Sequence, residues 1–146
     1  MITGVEVDII TKLILAAFLG GVIGFERELH HKPSDLRTQA LVCMGAAFFT
    51  MIPSAFGDAD PLRLAGGVVT GIGFLAAGII FRAENKVHGL TTAAEIWVIA
   101  AVGVAVGMGL YYAAIVATVI ILIILGPLKT VEEEMEEKVA KKKVNK

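Results

Sequence analysis

A single cysteine, Cys43, stands in a chain of 146 residues, which rules out an intramolecular disulfide and a cysteine-built zinc cluster. The formal net charge is only -1, so there is no basic excess to hold a nucleic-acid backbone, and no nucleic-acid partner is expected. No basic segment precedes the first apolar run: Glu6 and Asp8 stand before it, Lys12 lies inside it, and no small-residue cleavage site stands out. That run therefore reads as a retained first helix rather than a signal peptide. No Ser-His-Asp or Cys-His arrangement is present, so an enzyme is not expected. Charge is scarcest at the C-terminal end of the apolar region. The thirty-five residues from Thr91 to Leu125 carry one charge, Glu95.

What the chain does contain is apolar length. Apolar residues make up 56% of it and the mean hydropathy is +0.78. One helix through Thr91–Leu125 would run about 50 Å, against a hydrocarbon core of roughly 30 Å. It is predicted to fold back at Gly107-Met108-Gly109 as two membrane helices. Three earlier runs, Val7–Phe25, Thr38–Phe56 and Leu64–Phe81, are each close to spanning length. The expected fold is all-α: a polytopic membrane helix bundle of about five transmembrane helices over residues 1–128, then a charged tail, 129–146.

Orientation follows from the basic residues. With the N-terminus outside and the C-terminus cytoplasmic, eleven of the thirteen Lys and Arg fall inside, leaving Lys12 and Arg63 outside. Tyr111 and Tyr112 then open the last span at the outer interface, where amphipathic rings are favoured. The tail begins with a capping-box signal, Thr130 to Glu133, and reads as a short solvated helix.

Sixteen glycines are present, and several recur four apart inside the spans: Gly20/Gly24, Gly67/Gly71 and Gly103/Gly107, with Gly78 seven beyond Gly71. In lipid no hydrophobic force joins helices, so small residues at this spacing permit the close backbone approach that van der Waals contact needs. They predict intramolecular packing, a homodimer seam, or both. Gly71-Ile-Gly73-Phe-Leu-Ala76 matches a dinucleotide fingerprint, but it lies inside an apolar span, where no strand and turn can present a phosphate.

Polar chemistry gathers in two inner loops, Phe25 to Arg37 and Arg82 to Thr92, beside Glu95. A carboxylate at that depth must pair, reach water or take a proton. Arg27, Arg37 and Arg82 end or begin spans on the same side and are its candidate partners. A structural ion pair and a place in an ion or proton path are both open. Glu26, Glu28, His30, His31 and Asp35 contain ligating groups, but without a dedicated metal spacing they read as a solvated loop.

Gly20-Gly-Val-Ile-Gly-Phe-Glu-Arg-Glu28 and Leu36-Arg-Thr-Gln-Ala-Leu-Val-Cys-Met-Gly-Ala46 resemble the opening of the MgtC/SapB family of bacterial membrane proteins. So do Asp60-Pro-Leu-Arg63, Val69-Thr-Gly-Ile-Gly-Phe-Leu-Ala-Ala-Gly78, and Gly89-Leu-Thr-Thr-Ala-Ala94 followed by Trp97. The resemblance covers about residues 10 to 125. It implies a five-span bundle in the bacterial inner membrane, growth at low magnesium, survival inside macrophages and, in some members, restraint of the F-type ATP synthase. It also implies functional weight on Glu26, Arg27, Arg37, Thr38, Asp60, Arg63, Arg82, Thr91 and Thr92. Longer members carry a soluble domain after the last span, where this sequence has its charged tail, giving the expectation of a short form. Glu95 stands where the resemblance implies a small or neutral residue. Two functions follow as expectations: a regulator of a membrane partner linked to magnesium homeostasis, or a small Mg²⁺ or H⁺ transporter or channel working as a homodimer.

Overall fold

The computed structural model describes residues 4–30, 35–55, 60–83, 86–128, 135 and 138. Five helices follow one another: α1 (Gly4–Leu29), α2 (Leu36–Ala55), α3 (Pro61–Ile79), α4 (Leu90–Gly107) and α5 (Tyr111–Leu125). The first four are long and apolar enough to cross a membrane. The fifth has 15 residues, about 22 Å of helix, and needs its flanks to complete a crossing. Of the predicted tail helix only Met135 and Lys138 are described, both helical, and its Thr130 cap lies outside the described residues.

The turn predicted at Gly107-Met108-Gly109 is there. Helix α4 ends at Gly107, and Gly109 takes a φ of +80°. The Gly109 amide donates to Val106 O (2.9 Å) and the Leu110 amide to Ala105 O (2.8 Å), which satisfies the last carbonyls and turns the chain into α5. At its other end, α3 starts on Asp60, whose Oδ1 accepts from the Leu62 and Arg63 amides ahead of Pro61 in the first turn.

Helix α4 is the centre of the bundle. Over its 18-residue apolar stretch 56% of residues are buried, against 11% for α3, and it touches all four other helices. Ile99, Val102 and Val106 from α4 pack with Ile23 of α1 and with Cys43 and Ala47 of α2. Helix α1 runs antiparallel to α2, whereas α2 and α4 run side by side in the same direction, since Gly103 meets Cys43 and Gly107 meets Ala47.

The glycine pairs divide into two kinds. A Cβ on Gly20 would lie 2.5 Å from Gln39 O, one on Gly24 2.5 Å from Leu36 Cα, and one on Gly107 2.7 Å from Ala47 O. On Gly103 it would run into the Cys43 carbonyl oxygen. These four hold α1 against α2 and α2 against α4, as expected of small residues in lipid. Gly67, Gly71 and Gly78 do not. Nothing lies within 4 Å of a Cβ on any of them, so the intramolecular role expected of that row is corrected: it faces away from the bundle.

Between α3 and α4, where a simple polar loop is expected, the chain forms a two-stranded antiparallel hairpin, β1 (Phe81–Ala83) and β2 (Lys86–His88). Gly89 returns it to α4 with a φ of +82°, and a Cβ there would strike the Ile79 carbonyl oxygen. Gly89→Ala is therefore expected to cost at least the 1–2 kcal/mol or so of a left-handed non-glycine residue, plus displacement of the α3 end. Gly109→Ala, with open space around it, should cost only the conformational part. Thermal unfolding of the two proteins in the same detergent checks the difference.

Candidate functional site

The polar groups that matter lie where the ends of α1, α2, α4 and α5 meet. Helix α1 spans about 39 Å, so its last turns project beyond a 30 Å core and can present charge there. On its final buried turn Arg27 points inward, and its Nε stands 2.9 Å from Glu95 Oε2, on the second turn of α4. The two side chains are only 4% and 1% exposed. From α2, Gln39 Nε2 donates to Glu95 Oε1 at 2.7 Å. Three helices are thus tied to one carboxylate, with Thr92 buried one turn earlier on α4.

Gln39 hydrogen-bonds one oxygen of Glu95, and the other is in ionic contact with Arg27 Nε without hydrogen-bond geometry. In a medium of low dielectric that pairing decides whether a buried carboxylate is tolerable. Of the three candidate arginines Arg27 is the one that reaches it. Arg37 is corrected as a partner: its side chain is 86% exposed and its Nη2 lies 3.6 Å from Asp35. Arg82 is exposed on β1.

Glu26 is placed differently. Neither carboxylate oxygen is reached by solvent, and neither accepts a hydrogen bond. His30 Nδ1 lies 3.1 Å from Oε1 but is hydrogen-bonded to the Glu26 carbonyl oxygen at 2.9 Å. Across from it is the C-terminus of α5, where a Cβ on Gly126 would be 4.0 Å from Glu26 Oε1.

The other candidate residues serve helix ends or the surface. Thr38 donates its amide (2.9 Å) and its hydroxyl (2.8 Å) to Asp35 Oδ1, which caps α2. The Thr38 backbone donor first, then its hydroxyl, hold the Asp35 carboxyl below its usual range. A lowered folded value means that this cap is fully present above about pH 4 and is lost as pH falls through the lower folded value. Hydrogen exchange at the Thr38 amide should accelerate only below that range, and Asp35→Ala should give the fast rate at every pH. Thr91 and Arg63 are exposed, and Asp60 caps α3. Among the described residues no three His, Cys, Asp or Glu converge to hold a metal; His31 lies outside them. The dinucleotide-like run sits in mid-helix on α3.

Threonine hydroxyls inside the helices turn back on their own chain. Thr50 donates to Ala46 O (2.8 Å), Thr118 to Ala114 O (2.9 Å) and Thr70 to Gly66 O (3.1 Å). Each is thereby satisfied without water or a neighbouring helix. Gln39 is the site residue missed by sequence reasoning, and its signal was available: an amide one helical turn into an apolar span.

Four helices of spanning length and apolarity, packed around a matched internal ion pair, define a helical membrane protein. The chain belongs to the MgtC family, whose model matches residues 13–134. It is 48% identical over 122 residues to "Protein MgtC" of Brucella abortus (strain 2308), covering 83% of this chain and 51% of that one. It is 44% identical over 128 residues to "Putative magnesium transporter YhiD" of Escherichia coli (strain K12), covering 81% and 59%. It is 44% identical over 113 residues to "Protein MgtC" of Salmonella typhimurium (strain 14028s / SGSC 2262), covering 77% and 49%. The chain thus spans about half the length of the curated relatives it matches. No solved structure matches it.

Proposed function

We propose that the chain is a non-enzymatic inner-membrane protein of magnesium homeostasis that acts by contact with a membrane partner rather than by conducting an ion. The observation that carries this is the closure of Glu95. A carboxylate in a conduction path must exchange its partners with a passing ion, whereas here Glu95 is shut away from solvent, hydrogen-bonded to Gln39 at one oxygen and ion-paired with Arg27 at the other. The N-terminus lies outside, which puts this cluster and the lysine-rich tail on the cytoplasmic side.

The contact surface is the open row Gly67, Gly71 and Gly78 on α3, the least buried of the four long helices. A flat glycine face admits another helix at short range, either a second copy in a homodimer or a partner. The F-type ATP synthase is the partner that family resemblance implies. Gly71→Ile should leave the monomer folded and abolish cross-linking through α3.

A second reading, a dimeric Mg²⁺ or H⁺ path, draws on Glu26, whose shielded oxygens lack hydrogen-bond donors, and on the name of the Escherichia coli relative. Flux decides between them. Liposomes containing the purified chain should pass magnesium and protons no faster than empty vesicles. Flux from folded, inserted protein that Glu26→Gln removes would overturn the contact reading.

A further inference from the structure

Helix α3 begins with two opposite charges that do not meet. Asp60 uses Oδ1 to cap the Leu62 and Arg63 amides of its own helix. Arg63, one turn on, is exposed and forms no ion pair among the described residues. Both stand on the strip that carries the open glycines. Asp60, Arg63, Gly67, Gly71, Phe74 and Gly78 follow one another at intervals of three and four, so one side of α3 bears them all. Every one of them is exposed, Phe74 to 82%. The opposite side, with Val68 and Ile72 half-buried and Ala76 buried, packs on the bundle.

Such a strip is complementary to itself. Copies of one chain insert in the same direction, so two α3 helices meet in parallel about a twofold axis and each level faces its own counterpart. Asp60 and Arg63 are about 4.5 Å apart along the helix axis. Across the twofold that step sets the Arg63 guanidinium of each copy beside the Asp60 carboxylate of the other. A forked donor on a long stem suits a carboxylate one turn away. Further in, Gly67 and Gly71 let the two backbones approach, and the Phe74 ring lies between the open surfaces at Gly71 and Gly78. An unrelated helix would need matching charges at the matching level, whereas a second copy has them by construction. A lipid phosphate attracts Arg63 and repels Asp60 at the same place.

We propose that α3 is the seam of a parallel, twofold-symmetric homodimer, closed at its outer end by reciprocal Arg63–Asp60 pairs. This rests on the reading of α3 as the contact surface, with a second copy as its occupant. Exposed ion pairs contribute little by themselves, so the glycine row supplies the close approach and the charges fix register and choice of partner.

The test uses the full chain with Cys43→Ala and Tyr112→Cys, an exposed position on α5, carrying donor or acceptor dye in phosphatidylcholine vesicles. Energy transfer should exceed that of random neighbours and fall on dilution with lipid, and Gly71→Ile should abolish it. Arg63→Glu leaves only acidic groups at the outer end and Asp60→Lys only basic ones, so each variant alone should lose most of its transfer. Mixed together, the two restore opposite charges at both pairs and should recover most of it. Asp60→Asn keeps a capping oxygen and guards against misfolding of Asp60→Lys. It and Arg63→Gln should weaken transfer to the same degree, singly or together. Transfer no higher than random for the parent overturns the dimer alone and leaves α3 to an unlike partner. Transfer that survives Gly71→Ile overturns the dimer seam and the α3 contact reading together. Charge variants that behave like the parent, fail to recover on mixing, or act only with phosphatidylglycerol present overturn the reciprocal pairing and the dimer built on it.

Discussion

Arg27→Ala is expected to destabilise the bundle by about 3–5 kcal/mol, because it strands Glu95 as a buried charge beside a single amide donor. The pair lies almost wholly out of solvent, so water cannot take over the lost contact. The double replacement Arg27→Met with Glu95→Leu should recover most of that loss, since it removes both charges and fills similar volume. If the ion pair is structural, the double variant folds and the single variant does not. Unfolding in dodecylmaltoside, followed by helix content against sodium dodecyl sulfate, gives the comparison. A single variant as stable as the parent would show that Glu95 has another means of support.

The second large effect is expected at Gly103. Gly103→Val places a branched side chain where the Cys43 carbonyl oxygen and the Ala46 side chain already stand. Backbone cannot yield as a flexible side chain does, so α2 and α4 must separate. The cost should reach or exceed the 1–3 kcal/mol or so of ordinary overpacking, with loss of folded protein in the membrane fraction. Gly71→Val is the control, because the same atoms there meet open space. Its monomer stability should change by little more than the strand-favouring bias of valine in a helix. Equal damage at both positions would contradict the division of the glycines into packed and open rows.

That division was not legible in the sequence. Gly20/Gly24, Gly67/Gly71 and Gly103/Gly107 share one spacing, and spacing places residues on a face without saying what the face meets. Long apolar runs were legible because bilayer thickness imposes a length, and the α4–α5 turn because two glycines interrupt an otherwise unbroken run. The Arg27–Glu95 pair was narrowed to three arginines by the scarcity of charge together with the side on which each span begins or ends. Choosing among them needed the helix rotation that the Gly20 and Gly24 contacts set. The hairpin escaped notice for a simpler reason. Three residues per strand are too few for alternation to register, and Glu84-Asn85 is not one of the strong hairpin-turn pairs.

The ion pair also carries a history. Arg27 belongs to the first helix and Glu95 to the fourth, so a chain made from its N-terminus presents the cation long before the anion exists. Until α4 is delivered, α1 must keep its guanidinium near the headgroups, and α2 offers Gln39 with no carboxylate to receive it. The arrival of α4 discharges both at once. The helix at the centre of the finished molecule is therefore a keystone set last but one, and the assembly of everything before it is provisional.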